Sequence, residues 1–395
     1  MSGFEHNPGT TNEPMRRHLH VVPTYRPAQE GVLRLAQLGK VTLEHGDTLD
    51  NVTLAWRSWG EPNAARDNAV IILHALTGDS LAAGDGGWWE PVIGPGKPID
   101  TRTHYVICAN ILGGCQGSTG PSSRDEFGGY YGLRFPLITI GDIVTTQRML
   151  LDSLGITKVV AIGGSIGGFQ ALEWATRHAD LVAGTGCIAA AGNLNALGIA
   201  VHGEVGRRAI MADPNWLNGD YQKYDLFPEQ GLAIARMAAM TTYNSRESLG
   251  NRFGRNPAVR PPVYPQFGPT FDVEGYLHYH GKALVQRFDA NSYLYLTRAM
   301  DLYDVGRDGG DAHWFSKINA PMLLVGISSD WLFPPDDVEL LAARLADRGK
   351  DVRYELIDSP NGHDAFLKDW DQLNPILSRI MDRVSAAQQA ERVTS

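Results

Sequence analysis

The stretch Val159-Val160-Ala161-Ile162-Gly163-Gly164-Ser165-Ile166-Gly167-Gly168, followed by Phe169 to His178, decides how the chain is read. Four apolar residues suit a strand buried on both faces. The segment from Phe169 onward suits a helix. Between them lies a G-x-S-x-G pattern, which in this context is a sharp turn that lifts a serine hydroxyl out of the backbone. Glycines permit such a turn and leave room for neighbouring chains. The amide of Ile166 then stands at a helix N-terminus, where it can stabilise an oxyanion. The spacing therefore makes Ser165 a candidate nucleophile.

Working outward, the same rhythm recurs. Ala69 to His74 is an apolar run closed by A-L-T-G-D-S. Tyr105 to Ala109 is closed by N-I-L-G-G, and Pro321 to Ile327 by S-S-D. Thr53 to Trp59 and Val352 to Ile357 also read as strands. Helical spacing covers Ile143 to Gly155 and Val338 to Arg348. Strand, glycine turn and helix, repeated, predict an α/β protein with a mostly parallel sheet and helices on both faces. From Asn193 to Gly310 the rhythm breaks. Gly231 to Thr241 and Glu274 to Phe288 read as helices, and Arg255 to Pro269, with five prolines, as a loop. The expected organisation is a loose N-terminal arm (1–29), a first part of the α/β core (30–192), a helical lid insertion (193–310) and a second part of the core (311–395).

A serine hydroxyl needs a base, and the base needs an orienting acid. On such turns the chain order is serine, acid, histidine. Asp330 closes the run from Pro321, and His363 follows the strand Val352–Ile357, with room between them for one helix and one strand. His280 and His313 precede Asp330 and have the wrong order. Asp358 is a rival acid but lies too near His363. A second oxyanion amide must come from the loop after an earlier strand, and Leu76 in His74-Ala75-Leu76-Thr77-Gly78 occupies that place. His74 itself reads as structural.

Composition narrows the class. The chain has 395 residues, 43% hydrophobic and 20% charged, which excludes a disordered chain or a coiled coil. Net charge is −9 with no basic run, so nucleic-acid binding is not expected. Three cysteines, Cys108, Cys115 and Cys187, make no disulfide framework, and no His/Cys cluster has metal-ligand spacing. No leader pattern or membrane-length apolar run is present, so a soluble cytoplasmic protein is expected.

Several longer motifs then carry a resemblance. His74-Ala75-Leu76-Thr77-Gly78-Asp79-Ser80, Asn110 through Pro121 (N-I-L-G-G-C-Q-G-S-T-G-P), Gly163 through Gly168, Asp213-Pro214-Asn215-Trp216 and Gly362-His363-Asp364-Ala365-Phe366-Leu367 resemble, in order, signatures of the homoserine O-acetyltransferase family. The resemblance implies an α/β-hydrolase fold with a helical lid, usually a homodimer. It implies acyl transfer from acetyl-coenzyme A, a substrate and not a bound cofactor, to L-homoserine in methionine biosynthesis. Ser165, Asp330 and His363 fall on the family's triad. Arg207 falls where the family places an arginine for the substrate carboxylate, with Arg208 adjacent, and Asp364 where it binds the amino group. Ile166, Leu81 and Asn361 depart from the frequent methionine, histidine and tyrosine. The first two lie close to the expected acyl-pocket walls. Succinyl-coenzyme A as donor, L-serine as acceptor, a plain serine esterase or thioesterase, and a binding protein on the same fold stay open.

Overall fold

A computed structural model describes residues 30–260 and 267–394. The N-terminal arm lies outside the described residues, as does part of the proline-rich loop. Eight strands form one sheet: β1 (Arg34–Thr42), β2 (Thr48–Trp59), β3 (Ala69–Leu73), β4 (Tyr105–Ala109), β5 (Val159–Gly164), β6 (Val182–Ile188), β7 (Met322–Ile327) and β8 (Val352–Ile357). Their spatial order is β1-β2-β4-β3-β5-β6-β7-β8. The β1–β2 and β2–β4 pairs are antiparallel, and every later pair is parallel. The expectation of a mostly parallel sheet holds, with antiparallel pairs confined to one edge.

The apolar runs explain the layers. β3, β4, β5 and β7 are buried along their whole length. Successive side chains of a strand point to opposite faces. Ile71, Leu73, Ile107 and Ala161 accordingly join one core with Ile143, Leu150, Phe169 and Trp174. Val70, Ile72, Val160 and Ile162 join another with Leu373, Ile376, Leu377 and Ile380 of the helix Trp370–Thr394. Burial of each such aliphatic side chain contributes about 1.5–3 kcal/mol. The edge strands β1 and β8 are only partly buried.

Helix α1 (Ile140–Ser153) starts three residues before the expected Ile143, and its cap is the reason. Thr139 Oγ1 accepts from the Asp142 amide at 3.1 Å, while the Thr139 amide donates to Asp142 Oδ2 at 2.9 Å. This reciprocal box satisfies two orphan donors. Helix α2 (Ile166–Arg177) begins directly after Ser165. Strand β6 is an element the sequence pattern does not reveal, because Gly184 and Gly186 interrupt it. Gly184 is required by close approach: a Cβ there would lie 2.4 Å from Val384 of the C-terminal helix.

Between β6 and β7 the described residues form helices and turns. The main ones are Glu229–Tyr243, Arg246–Phe253, Asp272–Val285, Ala290–Leu302 and Gly310–Ser316, with a π-helical turn at Ile199–Gly206. The helix Ala290–Leu302 is a further element the sequence reading missed. Among the described residues no helix is long and apolar enough to cross a membrane.

Candidate active site

β5 runs into α2 through Ser165, whose backbone sits at φ 61° and ψ −128°. A side chain rarely adopts this conformation, and holding it costs on the order of 1–3 kcal/mol. The neighbours hold it. The Ser165 amide donates to Ile188 O at 3.0 Å, and the Gly168 amide donates to Ser165 O at 2.8 Å. Gly167 is required by close approach, since a Cβ would stand 2.0 Å from Leu73 O. That contact sets the N-terminus of α2 against the end of β3. The first amides of a helix have no intrahelical acceptor, so the Ile166 N–H is free for an oxyanion. The Leu76 amide, in the turn after β3, makes no hydrogen bond among the described residues.

Asp330 follows β7 and His363 follows β8, on the short 3-10 helix Gly362–Leu367. His363 Nδ1 and Asp330 Oδ2 are 2.7 Å apart. Asp330 Oδ1 accepts from the Leu332 and Phe333 amides, each at 2.9 Å. A carboxylate only accepts, so His363 carries its proton on Nδ1 and presents a lone pair at Nε2. That nitrogen is buried and has no partner. Three rings cage the imidazole: Tyr243 at 5.8 Å and 29°, Phe333 at 5.5 Å, and Phe366 edge-on at 5.6 Å. Burial pulls the His363 pKa down, but the charge and hydrogen bond of Asp330, with the charge of Asp364, outweigh it and leave it above the ordinary 6.5. The rival acid is engaged elsewhere, since Ser328 Oγ donates to Asp358 at 2.9 Å. Ser165, Asp330 and His363 are 5%, 3% and 2% exposed. Asp330 thus orients a histidine whose Nε2 lone pair is unoccupied and shielded from water, and no hydrogen bond joins it to Ser165 among the described residues.

A family model described as alpha/beta hydrolase fold matches residues 68–369. The chain is 47% identical, over 367 residues, to a homoserine O-acetyltransferase of Symbiobacterium thermophilum, covering 89% of this chain and 94% of that one. The chain belongs to the homoserine O-acetyltransferase family. Among solved structures it is similar to the homoserine O-acetyltransferase of Bacillus anthracis, with a TM-score of 0.84 and 25% identity over 89% of this chain and 98% of that one. It is also similar to esterase E22, with a TM-score of 0.81 and 29% identity over 88% and 99%.

In this member of the homoserine O-acetyltransferase family the candidate charged residues differ in their partners. Arg207 differs from expectation. Its Nη2 is 2.7 Å from Asp301, which is nearly buried, and its Nη1 reaches Thr297 at 3.4 Å. Asp301, which also lies 3.7 Å from Arg298, already engages the Arg207 guanidinium, so Arg207 is a poor receiver for a second carboxylate. Arg208 is exposed and paired with Glu204. Arg236, which the sequence pattern does not single out, is a further candidate cation. It lies on the helix Glu229–Tyr243, over the Tyr243 ring at 5.2 Å, and its Nη1 is 3.4 Å from Thr77 Oγ1, one residue past Leu76. Among the described residues its contacts are the Thr77 hydroxyl and the Tyr243 ring, with no ion pair. The available signal was an arginine inside an otherwise apolar helical stretch, G-L-A-I-A-R-M-A-A-M. Burial pushes Tyr243 up to about 12, so its hydroxyl stays neutral beside Arg236. Asp364 stands next to His363, and its Oδ2 is 3.2 Å from Lys368 Nζ, on a partly exposed lysine. Among the described residues no group of three or more His, Cys, Asp or Glu side chains is placed to hold a metal ion.

Proposed function

We propose that this chain transfers an acetyl group from acetyl-coenzyme A to the side-chain hydroxyl of L-homoserine through an acyl-Ser165 intermediate, serving methionine biosynthesis. His363 Nε2 takes the Ser165 proton, and Ser165 Oγ attacks the thioester carbonyl. The Leu76 and Ile166 amides receive the oxyanion. The carbon–sulfur bond breaks, and coenzyme A leaves with the proton that His363 returns. Homoserine then gives its hydroxyl proton to His363 and attacks the serine ester. The bond to Ser165 Oγ breaks, the serine regains its proton, and O-acetyl-L-homoserine departs.

The acceptor carboxylate is assigned to Arg236 in preference to Arg207, because Arg236 has no carboxylate partner among the described residues and a guanidinium fork suits a carboxylate. Asp364 takes the ammonium. The helices between β6 and β7 serve as the lid. The proposed steps use coenzyme A as a co-substrate and call on no metal. The reading also takes the chain as a homodimer, as the family resemblance implies, and as cytoplasmic, as its sparse cysteines suggest, with no nucleic-acid or membrane partner.

The observation that supports transfer over hydrolysis is the burial of Ser165 and of His363, whose ring stacks on Tyr243. An acyl-enzyme that waits for an amino acid must exclude water. The likeness to esterase E22 favours a second reading, hydrolysis with water as acceptor. The test follows coenzyme A release from acetyl- and succinyl-coenzyme A, each with L-homoserine, L-serine or neither, and weighs the products. Release that depends on homoserine, with O-acetylhomoserine formed, is expected. Equal release without an acceptor, giving free acetate, would replace the reading with a thioesterase.

A further inference from the structure

His74 directly follows β3 and is 2% exposed. The Ile111 amide donates to its Nε2 at 3.2 Å. A backbone N–H can only donate, so Nε2 holds a lone pair, and in the neutral ring the proton is on Nδ1. Nδ1 lies 2.8 Å from Ala75 O, to which it therefore donates. Burial, the largest influence on this ring, pulls its pKa below the ordinary 6.5 and keeps it neutral, against the opposing Ala75 hydrogen bond and Asp79 charge; Arg287 adds to the lowering. Ala75 O also accepts from the Gly78 amide at 2.8 Å.

The Ala75 carbonyl and the Leu76 N–H are the two ends of one planar, trans peptide unit and point in opposite directions. Fixing the carbonyl with two donors fixes the aim of the N–H. Drawing electron density toward the carbonyl oxygen also makes that N–H a stronger donor. We infer that His74 is a positioning residue that aims the Leu76 amide at the oxyanion, through its bond to the carbonyl of the same peptide. The Ile111 amide, from the loop after β4, locks the tautomer that this requires. The inference rests on the proposed reading in which the Leu76 amide receives the oxyanion, and it gives His74 a part in both halves of the reaction.

Two substitutions separate aiming from filling space. In His74→Asn the side-chain amide nitrogen takes the place of Nδ1 and still donates to Ala75 O, while the bond from Ile111 is lost. In His74→Gln the side-chain oxygen reaches the place of Nε2 and still accepts from Ile111, while the donation to Ala75 is lost. Losing one oxyanion donor outright costs about 100- to 1000-fold, and a misaimed one retains part of its effect. His74→Gln is expected to slow both the burst of coenzyme A and the later transfer to homoserine by about tenfold or more, with both KM values within about twofold of wild type. His74→Asn is expected to keep both rates within about threefold. Thermal melting of each variant confirms that the comparison is between folded proteins. The inference is overturned if the Gln variant keeps wild-type rates, if it changes only KM, or if the Asn variant falls as far as the Gln variant. If the wild type gains no acyl mass on Ser165, the reading beneath the inference goes with it. If the wild type is acylated and the Gln variant matches it, only the role of His74 falls.

Discussion

Asp330→Asn changes one atom type, and the surroundings dictate which way the new amide faces. Asp330 Oδ1 accepts from the Leu332 and Phe333 amides, and Oδ2 meets His363 Nδ1 at 2.7 Å. Only an oxygen can accept from those two amides, so the asparagine oxygen stays at the Oδ1 place. The NH2 group then faces Nδ1. A donor there requires a lone pair on Nδ1, which moves the ring proton to Nε2, the atom that must receive the Ser165 proton. Recovering the useful tautomer means turning the amide over against two backbone donors, at about 1–3 kcal/mol for the pair. Loss of the charged hydrogen bond to the imidazolium adds about 1.5–3 kcal/mol. Together about 2.5–6 kcal/mol is at stake, or about 10²- to 10⁴-fold in acylation rate. Stopped-flow detection of the coenzyme A burst from acetyl-coenzyme A measures it, with melting temperature as the control. A folded Asn variant within tenfold of wild type would refute the argument about amide orientation and the role of Asp330 with it.

The base must be neutral to work, so activity should climb as pH rises through the raised His363 pKa. Asp364→Asn removes a charge that helps to raise it, and the acid limb of kcat/KM should move to lower pH; an unmoved limb would show that Asp364 does not act on His363. Arg236→Met should raise KM for homoserine about 10- to 100-fold, the worth of a charged hydrogen bond, with the acylation burst intact. Arg207→Met should instead leave that KM near wild type and lower stability by about 1–3 kcal/mol, because Asp301 loses its 2.7 Å partner. A steady-state titration with homoserine and a denaturant melt distinguish the two arginines, and reversed results would restore Arg207 as the substrate residue. Gly167→Ala puts a Cβ 2.0 Å from the Leu73 carbonyl oxygen and should prevent native folding. Circular dichroism of a native, active variant would contradict that contact.

The parallel centre of the sheet was legible because strands buried on both faces must be apolar throughout, as in Val159–Ile162 and Met322–Ile327. β6 was not, because Gly184 answers to Val384 on a helix some two hundred residues later and Gly186 to Ile162 of β5, and no local pattern records those neighbours. Ser165, Asp330 and His363 could be picked out as candidates because their chemistry is tied to turns at strand ends in a set order, and the structure brings Asp330 and His363 together. The arginines were harder. Arg207 and Arg236 carry the same charge, and what separates them is whether a carboxylate from another helix, Asp301, reaches the guanidinium. That is a fact of packing, invisible in spacing. The part assigned to His74 was hidden for a related reason: a buried histidine at a strand end reads as core until its two nitrogens are traced to their partners.

The long helical excursion between β6 and β7 also has a consequence in time. The chain is made from its N-terminus and can begin to fold as it is made. Everything that bends Ser165 into its turn, from β3 through β6, is complete by Ile188, whereas Asp330 and His363 emerge only after the excursion and β7 have been synthesised. A nascent chain that has already formed the serine turn therefore has no base to activate it. The half-made protein is chemically silent toward thioesters, and reactivity arrives with the last strand pair.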